Sequence, residues 1–404
     1  MADTEPVRTG SGWQRIRAAW AVTAVFALSN SPTPLYVYWQ DRMGFSAATL
    51  TLVFSAYIAG LVLTLLVAGR AGDRFGRRRV VLPGIAIAVV SAVLFVIADS
   101  VAVLVVARLL VGIAVGIVVT AGMAAVVDLS DPGGHDAAAV LASIAMVFGA
   151  GLGPLIGGIV FQLTDEPVVP VFALNIVLLL VALAGYPGLR LPGPAAGSTG
   201  FPWPRLPHVA PRHRSRLRGG VSMFAPGLTA TSFVLSLGPS LLVLALGATS
   251  PILAGGLACL MFLAATGSQL ALSRLAVPRL FALGSASIVL AMVAVVLTLR
   301  TQSVIPFAVA VVLAGGAQGL GQLGGLRLIA RHVADHERAE ANAALNIGAY
   351  VPAAVLTVAT GYAVGVWGMH AAATVLAALL AGLGVVLGVP AVRRSGADER
   401  PDPT

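Results

Sequence analysis

Charge is scarce in this chain. Of 404 residues, 10% are charged and 58% are apolar, whereas soluble domains carry about 25% charged and 45–50% apolar residues. A water-soluble fold is excluded. Lysine is missing altogether, so all 25 of the Lys+Arg residues are arginine. That excludes a Walker loop, whose lysine reaches the β/γ-phosphates, and a Schiff-base lysine. The single cysteine, Cys259, lies in an apolar run, which excludes an intrachain disulfide and a cysteine-based zinc centre. The apolar runs carry no His-Glu-x-x-His, paired-aspartate or Ser/His constellation, as an intramembrane enzyme requires. No cofactor and no metal are implied. The net charge of +9 and pI near 10.9 read as loop arginine facing the cytoplasm and anionic lipid heads, not as a nucleic-acid surface.

What the sequence does have is long apolar runs, each of a length that crosses about 30 Å of hydrocarbon. Twelve are legible: 18–38, 47–69, 80–98, 101–127, 137–162, 168–186, 219–237, 251–273, 280–299, 304–328, 341–366 and 370–389. With the N-terminus in the cytoplasm, every arginine except Arg42, Arg300 and Arg108 falls on the cytoplasmic side. Shifting the count by one run destroys that asymmetry, so the bias supports both the count and the orientation, with both termini cytoplasmic.

The gap at 187–218 is rich in Pro, Gly and Arg and reads as a basic cytoplasmic linker. It separates a six-helix bundle at 18–186 from another at 219–390, with cytoplasmic tails at 1–17 and 391–404. The halves are weakly self-similar. Gly112 and Gly116 match Gly315 and Gly319 at one constant offset, which also pairs Ile144 with Ile347 and Gly158 with Gly361. A duplicated six-helix unit leaves such a trace, and two parallel repeats about an axis along the membrane normal are a known transporter plan. Shared composition is the competing explanation. The expected fold is an all-α membrane protein with twelve transmembrane helices in two pseudo-symmetric six-helix bundles.

Three segments carry more than topology. The first joins the second and third runs and contains Gly69, Asp73, Arg74, Gly76, Arg77 and Arg78. Gly76 permits a tight turn, and Asp73 can pair with an arginine or sit at a helix N-terminus. A paired, partly buried charge there would act as a conformational latch. The segment resembles motif A of the major facilitator superfamily. The second is Arg108 in the fourth run, followed by Gly112 and Gly116. This arginine either snorkels to the outer interface or faces a wet cavity; the glycines allow close helix packing. The pattern is similar to the family's motif B, which implies a cavity arginine that handles protons or an anion. The third is Gly149, Gly153, Pro154, Gly157 and Gly158 in the fifth run. Its proline bends a helix and its glycines leave a smooth packing face. The string resembles motif C, which the family's drug/proton antiporters carry.

The family likeness implies a cavity lined by the first, fourth, seventh and tenth runs. Their polar residues then become candidates for binding substrate or protons. They are Asn30, Ser31, Thr33 and Tyr36 around Pro32 and Pro34, then Thr229, Thr231 and Ser232, then Gln318 and Gln322 one turn apart on one helix face. Met123, Phe233 and Tyr57 are candidates for a soft wall. Each residue singly also fits ordinary helix packing. All 16 acids lie in loops, tails or at the ends of runs, so no mid-membrane carboxylate marks a proton path. Asp41 with Arg108, or Asp128, are the remaining candidates.

The expectation is a secondary active transporter working by alternating access. It exports a small apolar or amphipathic compound against proton inflow, as a monomer in the cytoplasmic membrane of a bacterium, with membrane lipids as its surroundings. Proton-coupled uptake of a small nutrient is the alternative, and a non-transporting receptor or scaffold a minor one. Asp73→Asn is expected to abolish transport while leaving membrane insertion intact. Unchanged flux in that variant counts against the latch.

Overall fold

The structure is a computed structural model and describes residues 12–131, 134–191, 209–247 and 250–398. Among the described residues every regular element is helical. The first half contains α1 (Gly12–Asn30), a 3₁₀ turn (Thr33–Leu35), α2 (Tyr36–Met43), α3 (Ala47–Leu65), α4 (Ala68–Phe75), α5 (Arg77–Val96), α6 (Val101–Ile117), α7 (Met123–Asp128), α8 (His135–Leu163) and α9 (Val168–Gly185). The second contains α10 (Arg214–Leu246), α11 (Pro251–Ala271), α12 (Val277–Thr301), α13 (Val304–His332) and α14 (Asp335–Asp398).

The twelve expected runs lie mainly on helix, the first of them interrupted between Asn30 and Tyr36. Among the described residues, ten helices are long and apolar enough to cross a membrane. The last of these, 340–393, has 54 residues. At 1.5 Å per residue it measures about 80 Å, more than twice the hydrocarbon thickness. Gly368, at φ +79°, breaks its helical geometry and divides α14 into two arms. The first run is divided too. Pro32 and Pro34 remove two backbone donors, and the chain leaves α1 at Asn30, turns, and resumes as α2. One feature had no sequence signal: α6 continues into α7 through a π-helical turn at Val118–Gly122.

Helix extends beyond three expected boundaries. α1 begins at Gly12, inside the stretch expected as tail, and α10 at Arg214, inside the stretch expected as linker. Residues 192–208 of that linker lie outside the described residues. At the other end α14 continues to Asp398, and Ala391 joins a buried cluster with Met223, Val277, Phe281 and Leu328.

Within the bilayer no hydrophobic force draws helices together, so association depends on close van der Waals contact between small residues. The glycines serve that purpose in matched pairs. A Cβ on Gly112 or Gly116 would overlap α3 at Tyr57 or Thr64. One on Gly315 or Gly319 would overlap α11 at Met261 or Ala265. The repeated glycines thus make the same crossing in both halves. The string in α8 seats it on α1: Gly149 abuts the carbonyl of Thr23, Gly153 that of Ala27 and Gly157 that of Ser31.

The second face of α8 joins the halves. Gly158 packs on Pro251 of α11, and Gly255 packs back on the carbonyl of Pro154. The repeat partner of Gly158, Gly361 in the first arm of α14, packs on Thr51 and Ala47 of α3. Across the same seam, Ser240 of α10 lies 3.5 Å from Gln40 of α2. These contacts all sit toward the arginine-poor ends of their helices. One step further along the α8–α11 crossing, Phe148 and Leu263 are each 56% exposed. The two halves therefore seal the arginine-poor side and splay toward the arginine-rich side.

The seam gives a matched test. Gly255→Val should destabilise the protein by about 1–3 kcal/mol through overpacking, because its side chain meets the backbone of Pro154. Gly256→Val, where a Cβ meets nothing within 4 Å, should stay within about 0.5 kcal/mol. Thermal melting in detergent measures both, and equal midpoints would remove the seam from Gly255.

Candidate functional site

The broken first span and the fourth span together create the most unusual local environment. Arg108 of α6 is 1% exposed. It neither snorkels nor meets a carboxylate. Its Nη1 donates to the carbonyl of Ser29 at 2.6 Å, at the point where α1 ends. Its guanidinium carbon lies 5.0 Å from the ring centre of Tyr57, 5.4 Å from that of Phe54 and 5.9 Å from that of Tyr36. Aromatic faces attract a desolvated cation, so three rings and one carbonyl stand where an acid would be expected. Its Nε is buried and has no acceptor, and the buried hydroxyl of Tyr36 has no partner either. The result is a cation with unused donors beside an unused hydroxyl.

Polar groups of the α1 terminus support this point. Ser29 Oγ donates to Phe26 O at 2.7 Å, and Asn30 Nδ2 donates to Ser29 Oγ at 2.9 Å. Ser31 Oγ accepts from Asn175 Nδ2 of α9 at 3.1 Å. Thr33 is buried in the 3₁₀ turn. Tyr36 is followed by Trp39, which stacks on Phe95 at 5.8 Å; Phe95 stacks on Phe172 at 4.7 Å. This stack fixes α2 against α5 and α9, and so fixes the Tyr36 ring.

Several expected groupings do not form. Asp41 and Arg108 are not joined: Asp41 is exposed on α2, while Arg108 is turned into the protein toward Ser29. Asp41 instead borders a surface recess of about 620 Å³. There Arg42 pairs with Glu166 at 2.9 Å, and Tyr38 donates to Glu166 at 2.7 Å. The Tyr38 hydroxyl and the Arg42 guanidinium hold the Glu166 carboxyl below its ordinary range. Gln318 and Gln322 have different neighbours. Gln322 accepts from Gln269 of α11 at 3.2 Å, while the backbone of Gln318 lies against Gly227 of α10. Thr229 and Thr231 donate to carbonyls of their own helix, Ala225 and Leu228. Gly112 lies at the helix crossing with Tyr57.

The segment after α3 is not a simple tight turn. Residues 68–75 contain no proline and form the short helix α4, and the reversal falls on Gly76 at φ +86°. Gly69 and Asp73 lie on its backbone and are otherwise outside the described residues. Gly72 faces Arg77 and Ala121 of the π turn. Arg74 lies 5.3 Å from the Phe75 ring centre, and Arg78 is exposed. Arg77 Nε reaches Asp128 Oδ2 at 3.4 Å. That pair ties the start of α5 to the end of α7, within one half.

Sequence reasoning missed Phe54, Asn175 and Gln269. Phe54 and Tyr57 sit one helical turn apart, a spacing that core packing shares. Asn175 and Gln269 are polar residues inside apolar runs, a signal that was legible. Among the described residues no group of three or more His, Cys, Asp or Glu could hold a metal.

Comparison with known proteins places this geometry in a family. The chain is 33% identical over 121 residues to the Uncharacterized MFS-type transporter EfpA of Mycobacterium tuberculosis, covering 30% of this chain and 23% of that protein. It is 37% identical over 71 residues to the Multidrug resistance protein MdtL of Escherichia coli, covering 18% of each. The chain thus matches under a quarter of the length of these curated relatives. Its fold is similar to the POT family transporter PepTSo (TM-score 0.74, 12% identity, 95% of this chain and 99% of that one). It is also similar to a bacterial homolog of the human lysosomal transporter Spinster in an inward-facing, occupied conformation (TM-score 0.72, 13% identity, 99% and 100%). The model of the Major Facilitator Superfamily matches residues 18–305, well over half the chain. This multi-pass membrane protein belongs to the Major Facilitator Superfamily.

Proposed function

We propose that the protein is a proton-coupled exporter of a small apolar or amphipathic compound, working by alternating access. The observation that carries this reading is the double use of α8. One face, through Gly149, Gly153 and Gly157, is bound to α1, and the other, through Gly158 and Pro154, meets α11 of the opposite half. The string that resembles the antiporter motif therefore lies in the seam that must open and close. The printed name of MdtL, a multidrug resistance protein, supports export over uptake.

In this reading the arginine-rich side faces the cytoplasm, both termini are cytoplasmic, and the membrane is the bacterial cytoplasmic membrane. The seal on the arginine-poor side corresponds to a state open to the cytoplasm. The protein acts as a monomer, since each six-helix half finds its partner within the chain. Asp73 and α4 act as the latch when the splayed side closes. Arg108 with Tyr36 is the polar centre: it receives a proton-linked charge, or the single negative charge of a substrate, in surroundings otherwise apolar.

Everted membrane vesicles carrying a preset proton gradient test the proposal against a panel of cationic, neutral and anionic compounds. A substrate should collapse the gradient; a panel with no effect would sink proton-coupled export. Counterflow in oriented vesicles separates export from uptake. Arg108→Gln should slow flux about tenfold or more, the worth of one hydrogen bond to a charged group. The same variant should melt no lower than the parent, because it removes a buried charge that lacks a carboxylate partner. Full flux in that variant would remove Arg108 from the path.

A further inference from the structure

Away from the seam, the second half holds two adjoining hollows that the transport reading does not use. The larger, about 410 Å³, lies between α10 and the two arms of α14. Leu217, Val221 and Ala225 form its floor, and Leu356, Leu383 and Leu387 its walls. Its hydroxyls are already satisfied: Thr229 donates to Ala225 O and Ser222 to Gly219 O, each at 2.8 Å. The hollow therefore offers a ligand almost nothing but hydrocarbon contact. Its volume is within the range of small-molecule sites, about 300–1,000 Å³.

The smaller hollow, about 250 Å³, lies at the arginine-rich end of the same helices; Phe281, Leu328 and Leu387 make most of its wall apolar, and its polar groups form one edge. Ser215, Arg216, Arg218 and Ser395 line it. The two hollows share Arg218, Ser222 and Leu387. Arg218 is exposed, and no acid among the described residues pairs with it. Arg214 and Arg393 lie on the adjoining helix ends. Glu337 lies 3.7 Å from both Arg212 and His213.

An apolar slot that opens beside an unpaired arginine in a basic rim matches one chemistry, an anionic head on a hydrocarbon chain. Arginine forks bind phosphate through paired N–H groups, and basic pockets between membrane helices bind anionic lipid heads. We infer that these hollows form a binding site for an anionic phospholipid of the leaflet on the arginine-rich side. The phosphate lies against Arg218 with Ser215, and one acyl chain fills the slot between the arms of α14. The site lies wholly within the second half. Occupancy braces α10 against both arms and does not require the seam to move.

The test uses the delipidated full-length protein in detergent, with thermal midpoints read against added lipid. Phosphatidylglycerol should raise the midpoint in a saturable way, while phosphatidylcholine with the same chains should not. Arg218→Gln should weaken the phosphatidylglycerol response about fivefold, the worth of one arginine toward an anionic lipid surface. Leu383→Phe, which narrows the slot, should weaken it as well; Arg42→Gln, on the arginine-poor side, should leave it unchanged. Native mass spectrometry counts the bound lipids and reads the same variants if a melting curve is lost. Equal stabilisation by both lipids, full stabilisation by inorganic phosphate alone, or an unchanged response in Arg218→Gln would each overturn the site.

Discussion

The fold depends on how closely two helix backbones approach where one of them carries no side chain. In a bilayer, leucine on a helix surface gains nothing by leaving lipid for protein, so dense contact must provide the cohesion. Each pair of heavy atoms contributes only about 0.1–0.2 kcal/mol, and a gap of one methyl group forfeits the contact. Gly112, Gly116, Gly315 and Gly319 bring the fourth and tenth spans onto the second and eighth. Gly158 and Gly361 then make the two crossings between halves. One duplicated pattern thus builds each bundle and also joins them. The ion pairs Arg42–Glu166, Arg77–Asp128 and Arg212–Glu337 each lie within one half and play no part in that joining.

Arg108 poses the opposite problem, a charge where the fold supplies no acid. A central arginine costs roughly 2.5–3.5 kcal/mol on insertion scales. Three aromatic rings and the Ser29 carbonyl offset part of that cost. The carbonyl is reachable because Pro32 and Pro34 end α1 at this depth. The prolines of the first span and the arginine of the fourth are thus two parts of one device. What is left over, Nε and the Tyr36 hydroxyl, is the capacity that the proposed function assigns to a proton or a substrate.

The large-scale plan was legible in the sequence because it is written in periodic signals: apolar run length, arginine placement, and a glycine offset kept between halves. The glycine string of α8 was legible too, since its role depends on what each position lacks. Contacts that depend on the partner's rotation about its own axis were not. Gln322 shares a helix face with Gln318, yet its partner is Gln269 on α11. Asp41 and Arg108 are near in depth on paper, yet one faces the surface and the other the interior. α4 was read as a turn because its charges dominate its composition. The absence of proline and the propensity of its Ala and Arg residues make it helical. The π turn after Ile117 has no composition of its own and could only be found in three dimensions.

The placement of the seal connects packing to motion. Contacts between halves gather at the arginine-poor ends, and α4 packs on α5 and the π turn of its own half. A seam of glycines against carbonyls is flat and, among the described residues, carries no paired charge that must be desolvated or re-solvated when it parts. It can therefore open at low cost, provided that contacts of similar worth form at the other end. The charged segment around Gly76, with Arg74 of α4 and Arg77 and Arg78 of α5, lies at that other end, where water is available and pairing with a carboxylate is cheap to make and break. In the proposed function, the dry glycine seam and the wet charged segment are the two alternating closures of one rocking unit. Their chemistry differs because one is sealed within lipid and the other at the membrane surface.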